Sequence, residues 1–115
     1  LVDWSDVDPA QTLYLLRAAV VIEGRALPVY EEVHTRYHHP EDTARFLRRL
    51  AALLPAGCRP VIVTDAGFKT PWYRVVEALG WYYLGRVRSR DHICLVGRDE
   101  WLPNKALHDQ ATGKP

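Results

Sequence analysis

The sequence predicts a mixed α/β domain, and three observations carry that expectation. Two long β-branched and aromatic runs flank Glu23-Gly24-Arg25 as a hairpin would. A short, wholly apolar run, Pro60-Val61-Ile62-Val63-Thr64, has the composition of a central strand covered on both faces. Segments of helical periodicity lie on either side of that run, as a parallel crossover requires.

In chain order, Leu1-Val2-Asp3-Trp4 reads as a strand end and Ser5-Asp6-Val7-Asp8-Pro9 as the turn after it, which puts Asp3 at a strand's exit. Thr12 to Ile22 and Ala26 to Val33 form the hairpin, and Pro28 favours an edge position or a bulge because proline cannot donate to a ladder. His34 to His39 is a polar connector. Pro40-Glu41-Asp42 opens the first helix, where orphan N–H groups favour negative charge. Phe46, Leu47, Leu50, Leu53 and Leu54 recur on one helical face, and Pro55-Ala56-Gly57 stops it. After the central strand, which ends on Asp65, Gly67 allows a tight turn. Thr70-Pro71 starts a helix that buries Val75, Val76 and Leu79, and Gly80 closes it. Trp81 to Val87 and Ile93 to Val96 are further strands. The tail from Asn104 to Pro115 has little periodicity and is expected to be poorly ordered.

Composition narrows the function classes. With 115 residues, 48% hydrophobic and 25% charged, the chain is one globular domain or a piece of one, which excludes disordered and fibrous classes. No apolar run is long enough for a membrane span, and the N-terminus lacks a signal-peptide layout, so a soluble, cytoplasmic protein is expected. Cys58 and Cys94 form no Cys-x-x-Cys pair and suggest a reducing compartment. A net charge of +1 neither demands nor forbids a nucleic-acid partner. The chain begins without Met and contains none, and is read as a fragment of a longer protein.

Asp3 and Asp65 are the strongest chemical signal, because open α/β sheets build sites at the carboxyl ends of their strands. If the first and fourth strands are neighbours, the two carboxylates converge as the hard oxygen ligands that Mg²⁺ takes from protein. On spacing alone, strand-ending and turn-forming Asp is an ordinary alternative reading of both.

Three blocks add to this: Asp3-Trp4-Ser5-Asp6, Glu23-Gly24-Arg25-Ala26-Leu27-Pro28-Val29-Tyr30-Glu31, and Val63-Thr64-Asp65-Ala66-Gly67-Phe68-Lys69-Thr70-Pro71-Trp72-Tyr73. Together with Leu79 to Arg88 and Leu107-His108-Asp109, they resemble the core of bacterial DDE transposases, in particular the insertion-sequence-four family and its tetracycline-transposon type. The resemblance implies a ribonuclease H-like mixed sheet: three antiparallel strands, then helix-strand-helix-strand, incomplete at the C-terminus. It places a partial catalytic core at 1–96 and the start of an insertion or a disordered tail at 97–115.

The implied chemistry is cleavage and joining of DNA phosphodiesters at transposon ends with two Mg²⁺ or Mn²⁺ ions. Asp3 and Asp65 match the family's first two catalytic and metal-binding acids, and double-stranded DNA would be the partner. The third acid belongs to a Tyr-x₂-Arg-x₃-Glu-x₆-Lys motif that these residues do not contain, so the chain alone is expected to be inactive. A non-enzymatic, truncated transposase remnant with at most weak DNA or subunit binding is the alternative. Asp6 reads as a turn-former or as support for the site. Glu100 has a tempting spacing from Asp65 but lacks a convincing helix to present it.

Lys69, Arg74, Arg86 and Arg88 are the residues expected to contact DNA phosphates, with a solvated rim as the competing reading. Trp72, Tyr73, Trp81, Tyr82 and Tyr83 mostly read as core. His34, His38 and His39 read as a solvated loop without structural zinc. A core lacking its later helices would leave one sheet face exposed and apolar, favouring self-association.

Overall fold

The computed structural model describes residues 1–88 and 90–110. The chain divides into two compact units, Leu1–Gly85 and the segment from Arg86 onward. In the first, β1 (Val2–Asp6), β2 (Tyr14–Ile22) and β3 (Arg25–His34) make an antiparallel meander, followed by α1 (Pro40–Leu53), β4 (Val61–Thr64), α2 (Thr70–Ala78) and β5 (Tyr82–Gly85). All five strands form one mixed sheet of order β3-β2-β1-β4-β5, in which β4 runs parallel to both β1 and β5. The expected succession of three strands, helix, strand, helix and strand is the one that folds.

Local chemistry accounts for the junctions. Glu23 and Gly24 both have positive φ, 49° and 76°, and this twist suits a two-residue hairpin between right-twisted strands. Pro28 lies on the edge strand β3, opposite a register shift between Ala18 and Ala19, so edge and bulge coincide. Pro40 stands at the start of α1 with Glu41 and Asp42 in its first turn, and Gly80, at φ 71°, follows the end of α2.

Both helices lie on one face of the sheet. Val2, Trp4, Leu16, Ala18 and Ile62 point toward them and join Phe46, Leu47, Leu50, Trp72 and Val76 in a single core. Strand alternation sends the intervening residues to the other side. There Leu1, Val33, Val61, Val63, Tyr82 and Leu84 are between 36% and 64% exposed.

Several boundaries differ from expectation. β1 continues through Asp6 because every residue from Val2 to Asp6 pairs with β2, so Asp3 sits inside the strand and not at its exit. The aromatic strand after Gly80 is shorter than expected, Tyr82–Gly85, because β5 pairs only along the four residues of β4. In the second unit, β6 (His92–Cys94) pairs antiparallel with β7 (Trp101–Pro103), a strand the sequence did not signal, and α3 (Asn104–His108) occupies part of the expected disordered tail. The last part of that tail, 111–115, lies outside the described residues.

Candidate active site

The sheet order makes β1 and β4 neighbours, joined by one parallel register pair, Val2 with Thr64. Both of those side chains are buried, and the next residue on each strand is an exposed aspartate, Asp3 on β1 and Asp65 just past β4. Each carboxylate is tied to backbone through one oxygen: Asp3 Oδ1 accepts the Trp4 N–H at 2.9 Å, and Asp65 Oδ1 accepts the Gly67 N–H at 2.9 Å. On the other flank Asp3 is in register with Arg17 of β2, and Arg17 is in register and ion-paired with Glu31 of β3. An acid, a base and an acid thus cross three strands in one row. The exit of β4 is held to α2 by a 3.0 Å hydrogen bond between the Thr64 and Tyr73 hydroxyls.

The histidine segment is packed, not a solvated loop. His34 is 7% exposed at the end of β3, with Nε2 3.1 Å from the Glu32 carboxylate. Glu32 and the buried Asp42 gather Arg49, Arg36 and Arg45 at 2.8, 3.0 and 2.9 Å, which joins β3 and the connector to α1. Burial alone would raise the Asp42 carboxyl, but the hydrogen bond from Arg45 and the charges of Arg36 and Arg45 outweigh it and hold it below its usual range. Glu32 is lowered in the same way, with burial opposed by hydrogen bonds from Tyr30 and Arg49.

His38 stands at φ 54°, a left-handed backbone uncommon outside glycine. Its ring packs against Tyr37, Phe68 and Trp4 at centroid distances of 4.2, 5.2 and 5.4 Å. Nε2 is buried and makes no hydrogen bond to protein. Burial lowers the basicity of this imidazole, the Asp65 charge raises it and the Lys69 charge lowers it further. Sequence reading placed His38 with His34 and His39 in a solvated loop, because three histidines without a Cys or acid at ligand spacing carry no sign of what their rings pack against.

The other expected residues scatter. Lys69 and Arg74 are exposed at the start and on the outer face of α2, with the Lys69 amine donating to the Ala66 carbonyl at 3.2 Å. Arg86 and Arg88 are exposed at the start of the second unit. Asp6 accepts the Gln11 side chain at 3.0 Å within the turn, and Glu100 is exposed beside β7. Trp72 and Trp81 are core, whereas Tyr82 and Tyr83 are 59% and 42% exposed because β5 is an edge strand. An apolar cleft of about 270 Å³ lies at the opposite end of β4, around Pro60 and Val61, and has no chemical groups to offer. Among the described residues no three His, Cys, Asp or Glu side chains cluster as a metal site, and no helix is long and apolar enough to cross a membrane. Two carboxylates at neighbouring strand positions are what the described residues provide, a set that suits a hard cation completed by substrate oxygens and water.

Over residues 1–105 the chain matches the family described as transposase DDE domain. No curated protein and no solved structure matches the chain.

Proposed function

The chain belongs to the transposase DDE domain family, and from that premise we propose that Asp3 and Asp65 are two of the acidic ligands with which it cleaves and joins DNA phosphodiesters. The observation that carries this reading is the Val2–Thr64 register pair, which sets the two aspartates at adjacent positions on parallel strands. The order β3-β2-β1-β4-β5, antiparallel in its first half and parallel in its second, supports a ribonuclease H-like core. The insertion-sequence-four type, the division into a core and a following inserted segment, and location in the cytoplasm belong to the same reading.

Mg²⁺ or Mn²⁺ at this site would activate the attacking oxygen and stabilise the leaving one. The protein's part is positional. Asp3 is fixed by ladder pairing on one side and by the Arg17–Glu31 row beyond it, and Asp65 by its bond from the Gly67 amide. Both remain exposed, so a DNA phosphate can approach them from solvent. The third ligand falls to a Glu in the Tyr-x₂-Arg-x₃-Glu-x₆-Lys motif, which this chain does not contain. Lys69, exposed just before α2, Arg74, exposed on it, and Arg86 and Arg88 are proposed to pair with duplex phosphates.

In a protein that carries this chain together with its third acid, Asp3→Asn and Asp65→Asn are each expected to abolish Mg²⁺-dependent strand cleavage while DNA binding persists. Cleavage that survives either substitution overturns the assignment.

A further inference from the structure

Two buried carboxylates beside the edge strand β3 hold three guanidinium groups that stay open to solvent. Asp42 takes Arg36 and Arg45 at 3.0 and 2.9 Å, and Glu32 takes Arg49 at 2.8 Å with Arg45 at 4.0 Å. The Asp42 and Glu32 side chains are 6% and 9% exposed, whereas those of Arg36, Arg45 and Arg49 are 55%, 44% and 58% exposed. Each acid binds a terminal nitrogen of its arginine, and a guanidinium carries five N–H donors, so every fork keeps donors for an outside acceptor.

Stability alone does not account for this arrangement. Buried carboxylates are unfavourable unless paired, and apolar side chains of similar size would serve a helix–strand contact as well or better. What the pairs accomplish is to fix three long side chains, and a planar fork already held in place loses little freedom when it binds a phosphate. Arg45 and Arg49, four residues apart, are neighbours on α1, with the exposed Arg48 beside them. After Asp42 the helix carries no acid, and Glu41 is the exposed carboxylate of its first turn. Glu32 is in register with Leu16, and Leu16 with Trp4, the residue after Asp3, so the cluster lies level with the aspartates along the sheet, two strands away. Strand alternation turns Asp3 to the face away from α1, so a phosphate gripped by the arginines is a flanking one and not the one attacked.

We propose that Arg36, Arg45 and Arg49 form a preorganised surface for the phosphate backbone of duplex DNA, with Glu32 and Asp42 as the groups that set them. This surface extends the DNA reading above and rests on it. Contacts of this kind hold a duplex in register without reading its bases.

The test uses the full chain and a short DNA duplex of arbitrary sequence, without metal. In the parent chain the Nε–H resonances of Arg36, Arg45 and Arg49 are expected to move as duplex is added, while that of Arg25, at the far end of β3, stays in place. Resonances of the three that stay in place overturn the proposal. Arg36→Gln and Arg49→Gln are each expected to weaken binding about 5-fold or more and to make the slope of log K against log salt shallower by about one, alike for every duplex sequence. Asp42 keeps Arg45 in the first variant and Glu32 keeps the Tyr30 hydroxyl in the second, so thermal midpoints should hold; should one fall, the parent spectra decide. Arg25→Gln removes the same charge and is expected to change affinity less than about 2-fold. Parent-like affinity in both Arg36→Gln and Arg49→Gln, an equal loss in Arg25→Gln, or a parent chain that binds no duplex overturns the surface. None of these outcomes touches the aspartate assignment, which is read from metal-dependent cleavage and not from binding.

Discussion

Asp3 and Asp65 each stand one residue beyond Val2 and Thr64, the single register pair that joins β1 to β4. Strands distant in sequence thereby bring two acids to adjacent positions in the middle of the sheet, and groups held this way are expected to act as a unit. Asp3→Asn, Asp65→Asn and the double substitution are therefore expected to depress DNA cleavage to the same floor, as measured with the protein that supplies the third acid. Losses that multiply in the double variant would mean that the two acids work independently.

Acid sensitivity should come from the β3–α1 network. Glu32 and Asp42 ionise below their ordinary 4.5 and 3.8 in the folded protein. As pH falls, the unfolded chain takes up those protons first. The stability the two groups contribute is fully present above the ordinary values and is lost as pH drops through the lower folded ones. Urea midpoints followed from neutral pH to about pH 3 should fall steeply in the parent chain and less steeply in Asp42→Asn, which starts from a lower neutral-pH midpoint.

Gly85 has no room for a side chain. A Cβ there would lie 2.1 Å from the Tyr73 hydroxyl, the group that bonds Thr64 at the exit of β4. Gly85→Ala is expected to cost about 1–3 kcal/mol in denaturant unfolding, and Tyr73→Ala should cancel the steric part of that cost in the double variant.

Phe46 is fully buried between the helix layer and the sheet, with its ring 5.0 Å from that of Tyr30. Phe46→Ala should destabilise the protein by about 3–5 kcal/mol, read from the urea midpoint, because it removes buried apolar area and leaves a cavity.

The sheet face opposite the helices predicts association. Val61→Lys and Leu84→Lys, at positions 56% and 64% exposed, should lower dye binding to apolar surface and reduce any concentration dependence in sedimentation. Their thermal midpoints should hardly move, because neither side chain is packed in the core.

Much of this was legible in the primary structure for local reasons. The Glu23-Gly24 turn, Pro28 at an edge with a bulge opposite, Pro40 opening α1 and Gly80 ending α2 each follow from what a single residue's backbone permits. The β6–β7 pair and α3 were not legible, because three-residue strands and a five-residue helix leave too few positions for a period to show. The extent of β1 was misjudged for a related reason: its polar residues Ser5 and Asp6 look like a turn, yet cross-strand pairing to Leu15 and Tyr14 keeps them extended.

The sequence by itself determined the order of the elements in the main sheet and singled out Asp3 and Asp65 as candidates, since hydrophobic period, turn chemistry and motif are properties of neighbouring residues. Only the tertiary structure decided that β4 inserts beside β1, that Val61, Tyr82 and Leu84 on one sheet face are exposed, and that His38 packs among Trp4, Tyr37 and Phe68. Those are contacts between segments far apart in the chain. They are fixed by which surfaces can be buried together, and no local pattern of residues records that choice.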